Sequence, residues 1–364
     1  MIRRLVRFAW SGRNAGSRAL AMLISPFSAG YSIGLAVNRA RLRRLPRFEP
    51  EIPVVLVGNL TVGGTGKTPL VADIVRRLLD AGRRPVVVSR GYGGRLEGRR
   101  SVVSDGREIL LLARDAGDEP LMLARQLPGV PVITGTDRVD AGKYAVERLG
   151  ANALVLDDGF QQRDRFPGAF TVVAINARDP FGNGRLLPAG PLREPAATLR
   201  DAHAVVLTHA PETAVRDRAE LRVLITGLAP GAVVAEAAHE PDGLENAADG
   251  SPLPLTWLSG RRILALSAIG YPSGFERDLA GAGAVVVSAA APDHHVWTPR
   301  GLERAGRTAA ADGCTAIVTT AKDAVRLGGP AIAGLPVFVL RLRLGWTAGE
   351  AEFRSALLAR VNRP

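Results

Sequence analysis

The chain has 364 residues, of which 46% are hydrophobic and 23% charged, with a formal net charge of +12. That length exceeds one comfortable core, and the composition excludes a chain that is mainly disordered. The single cysteine, Cys314, excludes a disulfide framework and a cysteine-rich metal centre, and His203, His209, His239, His294 and His295 include no HExxH-type pair.

Residues 1–48 carry ten arginines and no acid, so a basic N-terminal arm precedes a nearly neutral body. Between the two arginine clusters the stretch 19–37 is uncharged. As a helix it would span about 28 Å, close to a bilayer core. Pro26, Gly30, Gly34 and the interposed serines argue against a stable spanning helix. Leu20, Leu23, Ile24, Phe27, Tyr31 and Leu35 fall at near-helical spacing, and arginines flank them on both sides. The expectation is an amphipathic arm in the headgroup region of an anionic leaflet. The plainer alternative is a helix that packs its stripe on its own domain. A second arginine cluster speaks against a cleaved signal peptide, and the apolar stripe serves a nucleic-acid arm poorly.

From residue 53, apolar runs at 54–57, 85–89, 130–134, 153–156, 171–175 and 204–207 alternate with helical patterns at 69–81, 119–126 and 137–149. Such alternation predicts an α/β fold over 49–226, a P-loop NTPase-like parallel sheet with helices on both faces. Residues 227–261 are rich in Gly, Pro and Ala and read as a linker. Runs at 263–267, 284–288, 316–320 and 337–340 then predict a smaller α/β domain over 262–364. A last helix near 348–361 is able to pack on either domain.

The strongest local signal lies at 54–69, where an apolar run enters GNLTVGGTGKTP. Glycines let successive N–H groups face phosphate oxygens, and the following helix offers its N-terminus to the same anion. Gly63, Gly64, Thr65, Gly66, Lys67 and Thr68 are therefore the expected nucleotide cradle. Lys67 would reach the β/γ-phosphates, and the Thr68 hydroxyl would face Mg²⁺. The strict pattern wants Gly where Thr61 stands. Lys67, Lys143 and Lys322 are the only lysines among 47 basic residues, which marks Lys67 and Lys322 for attention. Asp157 and Asp158 follow the apolar run 153–156 and supply the second carboxylate that a phosphate loop needs near its metal. The alternative is a pair of turn-capping acids.

Eight motifs stand in order along the chain: GNLTVGGTGKTP (58–69), SRGYGG (89–94), GDEP (117–120), DR (137–138), LDDGFQ (156–161), GRLLPAGPLRE (184–194), PDHH (292–295) and TTAKDAV (319–325). Together they resemble the tetraacyldisaccharide 4′-kinase family, the lipid A 4′-kinases of Gram-negative bacteria, over nearly the whole chain. The resemblance implies ATP- and Mg²⁺-dependent transfer of the γ-phosphoryl group to the 4′-hydroxyl of a tetraacylated glucosamine disaccharide 1-phosphate. It also implies a peripheral enzyme on the cytoplasmic face of the bacterial inner membrane. Its partners would be the lipid substrate and an anionic membrane surface, with no nucleic acid.

By the same resemblance Asp118 is the catalytic carboxylate and His294 its partner, a dyad that takes the proton from the acceptor hydroxyl. Gln161 and Glu194 join Thr68 and Asp157 near the metal. Arg90, Glu119, Asp158 and Arg193 line the crevice for substrate or phosphate. Spacing alone reads His294 and His295 as a helix cap, and Arg193 with Glu194 as a surface pair. Ala321 stands where the family carries an acid, so Lys322 and Asp323 are read as structural or nucleotide-side residues. The rival function is a membrane-targeted P-loop regulatory ATPase or GTPase. It lacks an NKxD-type strand end, TTAKDA being the nearest sequence.

Overall fold

The computed structural model describes residues 6, 8–10, 14–292, 295–327, 329 and 331–361. Its first long element is helix α1, Ala15–Arg44, a single helix of 30 residues that runs through Pro26, Gly30 and Gly34. Asn14 starts it with a capping box: its side chain accepts from the Ser17 backbone, and the Ser17 hydroxyl accepts from the Asn14 N–H. The expected helical arm is thus present, and Pro26, Gly30 and Gly34 do not interrupt it. Pro26 removes only the hydrogen bond to the Met22 carbonyl, where Met22, Leu23 and Pro26 itself are exposed.

The first core is built on strands β1 (Val54–Gly58), β2 (Pro85–Ser89), β4 (Pro131–Thr134), β5 (Ala153–Asp157), β6 (Phe170–Asn176) and β7 (Ala204–Thr208). All pair in parallel in the order β7-β6-β1-β5-β2-β4, with β3 (Ser101–Asp105) antiparallel at the edge. Every residue of β1, β5 and β7 is buried, because helices cover both faces. One face carries α2 (Lys67–Asp80) and α3 (Asp118–Gln126); the other carries α4 (Arg138–Leu149), and α5 (Val215–Leu228) packs beyond β7. Each fully buried Val or Leu here contributes about 1.5–3 kcal/mol relative to exposure.

The segment 227–261 departs from the expected linker. It carries the 14-residue strand β8, Val233–Asn246. Its first residues pair in parallel with β7; from Glu236 onward it pairs antiparallel with β14, Leu335–Ala348. Pro241 and Gly243, read as linker residues, flank Asp242 at a register shift opposite Arg341 and Leu342. A bulge tolerates both residue types inside a strand. This ribbon, with short β9 (Pro252–Leu253) antiparallel to β8 and β13 (Ala331–Ile332) antiparallel to β14, leads into a second core on β10 (Arg262–Ser267), β11 (Val285–Ala290) and β12 (Ala316–Thr320), parallel in the order β11-β10-β12-β14. Helices α6 (Pro272–Gly281) and α7 (Pro299–Ala311) cover it. The last helix, α8 (Glu350–Val361), returns to the first core, where Phe353, Leu357 and Val361 are fully buried.

Helix α1 lies along the first core and is held there by polar contacts. Ser28 donates to the Leu186 carbonyl (2.9 Å), Arg185 donates to the Ser25 hydroxyl (2.7 Å), and Arg39 pairs with Asp164 and Asp201. Leu20, Ile24, Tyr31 and Leu35 of the expected stripe are half-buried against the body, whereas Leu23 and Phe27 face outward. Met22, Leu23, Phe27, Ile33 and Val37 remain 61–74% exposed. The helix is long and apolar enough to cross a bilayer.

Candidate active site

In a parallel sheet the crevice opens beyond the carboxyl ends of the strands. Here β1 delivers the glycine loop, β5 delivers Asp157 and Asp158, β2 delivers Ser89 and Arg90, and α3 presents Asp118 and Glu119 at its first turn. The loop begins zipped to the GRLLPAGPLRE segment: Val62 N–H donates to the Pro191 carbonyl (2.8 Å) and Arg193 N–H to the Leu60 carbonyl (2.7 Å). That pairing carries Arg193 to the loop mouth. Gly66 sits at φ 71°, left-handed, at the N-terminus of α2, and a Cβ there would run into the His239 ring. Any other residue at 66 is therefore excluded twice over, by backbone and by space.

The Lys67 ammonium meets Asp158 Oδ1 at 2.5 Å and Asn59 Oδ1 at 3.1 Å. Arg193 holds the same Asp158 through both oxygens, at 3.2 and 3.0 Å. Burial by itself would raise the Asp158 pKa, but Lys67 and Arg193 outweigh it and hold the carboxyl well below the usual range. Asp158 therefore stays charged and is paired with the lysine. Its φ of 55° turns the side chain back into the crevice from the strand end.

Asp157 behaves oppositely. It is 3% exposed, and burial pushes its pKa up to about 6, with Lys67 opposing and Glu119 and Asp158 adding to the rise. Ser89 Oγ donates to it at 3.2 Å. Behind it the buried Arg138, capped by Asp137 at the start of α4, donates to the Asp157 and Gly135 carbonyls. Burial lowers the Arg138 pKa to about 10. Two adjacent acids thus sit in opposed environments, one neutralised by cations and one without a paired charge of its own.

The remaining expected residues lie as follows. Gln161 donates to the Asn59 carbonyl (3.1 Å). Glu194 is buried and gives both oxygens to Arg163, at 3.3 and 2.9 Å, on the side where Tyr31 of α1 donates to the Arg193 carbonyl. Arg193 and Glu194 therefore do not pair with each other; each has its own partner. Arg90 is exposed and pairs with Glu97 (3.3 Å); Glu119 is exposed. Asp118 is bound through Oδ2 by Arg326 of the second core, whose Nε lies 2.7 Å away and whose Nη2 reaches the same oxygen. His294 lies outside the described residues. His295 stacks edge-on against Trp297 at 5.1 Å.

Sequence reasoning missed several contributors. Asn59 lies within the glycine-loop motif and Arg138 within DR, so both were present in motifs without a role assigned. Arg326 directly follows TTAKDAV. His239, from the segment read as linker, carried no sequence signal. Its ring lies 4.4 Å from His209, and burial, followed by His209, lowers its pKa to about 3, only partly offset by the Gly66 backbone.

The donors present fit Mg²⁺ as it usually binds at phosphates, through one or two hard oxygens rather than a closed cage. Thr68, in the first turn of α2, and the buried Asp157, at the end of β5, carry oxygens of that kind. Among the described residues no cluster of three or more His, Cys, Asp or Glu forms a metal cage. Glycine loop, lysine and strand-end acids on a parallel sheet define a P-loop NTPase-like nucleotide site.

The particular family follows from comparison. The profile of the tetraacyldisaccharide-1-P 4′-kinase family matches residues 20–362. The tetraacyldisaccharide 4′-kinase of Anaeromyxobacter dehalogenans (strain 2CP-C) is 46% identical over 318 residues, covering 86% of this chain and 82% of that one. That of Syntrophus aciditrophicus (strain SB) is 38% identical over 355 residues, covering 94% of each. The crystal structure of LpxK from Aquifex aeolicus in complex with ATP superposes with a TM-score of 0.73 at 28% identity, covering 94% of this chain and 99% of that one. The chain belongs to the tetraacyldisaccharide 4′-kinase family, and the rival regulatory ATPase or GTPase is not favoured.

Proposed function

We propose that this protein transfers the γ-phosphoryl group of ATP to the 4′-hydroxyl of a tetraacylated glucosamine disaccharide 1-phosphate, in the biosynthesis of lipid A. The observation that carries the reading is the Lys67–Asp158–Arg193 cluster at the mouth of the glycine loop, with Asp118 on the adjoining helix. Arriving triphosphate replaces Asp158 as the partner of Lys67, and Gly63, Gly64, Thr65 and Gly66 offer it their N–H groups. Thr68 and Asp157 would hold Mg²⁺, which when bound neutralises charge on the phosphate oxygens. Arg193 and Arg90 face the anionic groups that remain.

Asp118 accepts the proton as the acceptor oxygen bonds to the γ-phosphorus. The β–γ bridging P–O bond breaks, and ADP leaves. General-base help of this kind contributes about 10²–10⁴-fold. Arg326 takes Oδ2, and Oδ1 is the oxygen we assign to the hydroxyl. His294 is assigned as its partner in the proton transfer, and Glu119 lines the acceptor side. We assign Glu194 to the wall between the site and α1 rather than to the metal, because Arg163 already takes both its oxygens; Gln161 donates through Nε2 to the Asn59 carbonyl and keeps Oε1 for the metal side.

The arm brings the enzyme to its substrate. The outward apolar side chains of α1 and its flanking arginines suit the cytoplasmic face of an anionic inner membrane, where the acyl chains of the acceptor stay. The test is direct: incubate the protein with labelled ATP and the disaccharide 1-phosphate in detergent. The expected product is a bis-phosphorylated lipid, with slow ATP hydrolysis when the lipid is omitted. ATP turnover that ignores the lipid and yields no labelled lipid would refute the assignment.

A further inference from the structure

The TTAKDAV motif lies at the end of β12 in the second core, and the reaction as described does not use it. Its structure shows a rigid mount. Thr320 caps the helical turn Ala321–Ala324, accepting from the Asp323 N–H at 3.1 Å. Asp323 is fully buried, and its Oδ2 accepts from the Thr320 hydroxyl (2.7 Å) and from the Ala268 N–H at the end of β10 (2.9 Å). The turn is thereby tied to two neighbouring strands. The Arg326 N–H donates to the Asp323 carbonyl at 2.9 Å, so the arginine leaves this mount with its backbone fixed. Its side chain crosses the crevice and puts both Nε and Nη2 on one atom, Asp118 Oδ2, 208 residues away in sequence. Both side chains are partly buried, at 17% and 23% exposure, where solvent competes less with the pair.

We propose that Arg326 is a positioning residue for phosphoryl transfer: from the second core it pins one oxygen of Asp118 and leaves the other aimed at the acceptor hydroxyl. The inference rests on Asp118 being the base. A carboxylate at the first turn of α3 is otherwise free to rotate about its side-chain bonds, and a fork that takes both N–H groups to one oxygen fixes that rotation. Because the fork comes from the other core, the base is oriented only when that core is in place. Thr320 and Asp323 then have a purpose in the motif: they aim the arginine. Loss of such orientation costs up to about 100-fold in the chemical step without touching nucleotide binding.

The experiment uses the full chain with disaccharide 1-phosphate in detergent. Arg326→Ala is expected to lower kcat for lipid phosphorylation about 30- to 100-fold, with KM for ATP within about twofold. Added guanidinium should restore part of kcat, and Arg326→Lys should fall between the two, since an ammonium keeps the charge but not the two-pronged grip. In an Asp118→Asn background, Arg326→Ala should cost almost nothing more. If Arg326→Ala fails to fold, Arg326→Lys and Arg326→Gln carry the same comparison, with melting temperature as the control. A folded variant with kcat within about threefold of the parent, or one that loses equally in both backgrounds, overturns the proposal. If the parent itself makes no lipid product, the kinase reading has failed rather than this inference.

Discussion

On the nucleotide side of the crevice, Lys67, Ser89, Asp157 and Asp158 hang from the ends of β1, β2 and β5, adjacent strands of one buried sheet. On the acceptor side, Asp118 stands on α3, its partner Arg326 comes from the second core, and α1 approaches through Tyr31 and Ser28. The first side is held by a core whose strands are wholly buried; the second is shared among parts with separate cores. In the proposed reaction, phosphate binding therefore needs only one fold unit, whereas proton transfer from the acceptor hydroxyl to Asp118 needs several to meet.

Four measurements put that contrast to the test. The largest effect is expected at Asp118→Asn, about 1,000-fold in lipid phosphorylation with ATP affinity retained, read by product formation and nucleotide titration. Equal loss of nucleotide binding would merge the two sides. Lys67→Ala should cost about 100- to 1,000-fold and, unlike Asp118→Asn, also weaken ATP binding. Unaltered ATP affinity there would remove the lysine from the phosphate.

Phe27→Ser in α1 should lower binding to anionic vesicles about tenfold while leaving turnover in detergent near that of the parent. Co-sedimentation decides; undiminished pelleting means that the outward face is not the contact. The smallest effect concerns His239. Its pKa is lowered to about 3, below the ordinary 6.5, so the folded state resists the proton that the unfolded chain takes up. Stability from this group is full above pH 6.5 and is lost as pH falls toward 3, by up to about 1.4 kcal/mol per pH unit. His239→Gln should flatten that slope in urea unfolding at pH 6.5 and 5.5. An unaltered slope would place the acid sensitivity elsewhere.

Much of the nucleotide side was legible because its determinants are local. Apolar runs of four or five residues, a glycine loop and a strand-end acid pair all lie within short windows, and the strands formed within a residue or two of where periodicity put them. The arm was half legible. Its length and charge were plain, but the stripe at near-helical spacing did not tell which side chains meet the body. Leu20, Ile24, Tyr31 and Leu35 turn inward while Leu23 and Phe27 do not, and Ser25, Ser28 and Arg39 add polar contacts on the inward side. The segment 227–261 was misread because Pro241 and Gly243 look like linker residues until a partner strand makes them a bulge.

By itself, then, the sequence determined the family motifs, the order of strands and helices along the chain, the phosphate loop and the excess of arginine at the start. Only the tertiary structure decided what pairs with what. It placed Arg326 on Asp118, Arg163 on Glu194 and Arg193 on Asp158, and it set the His239 ring beneath Gly66. The reason is physical: backbone preference and hydrophobic period act over a few residues, while ion pairs and close packing act over a few ångströms, between residues whose separation along the chain carries no signal.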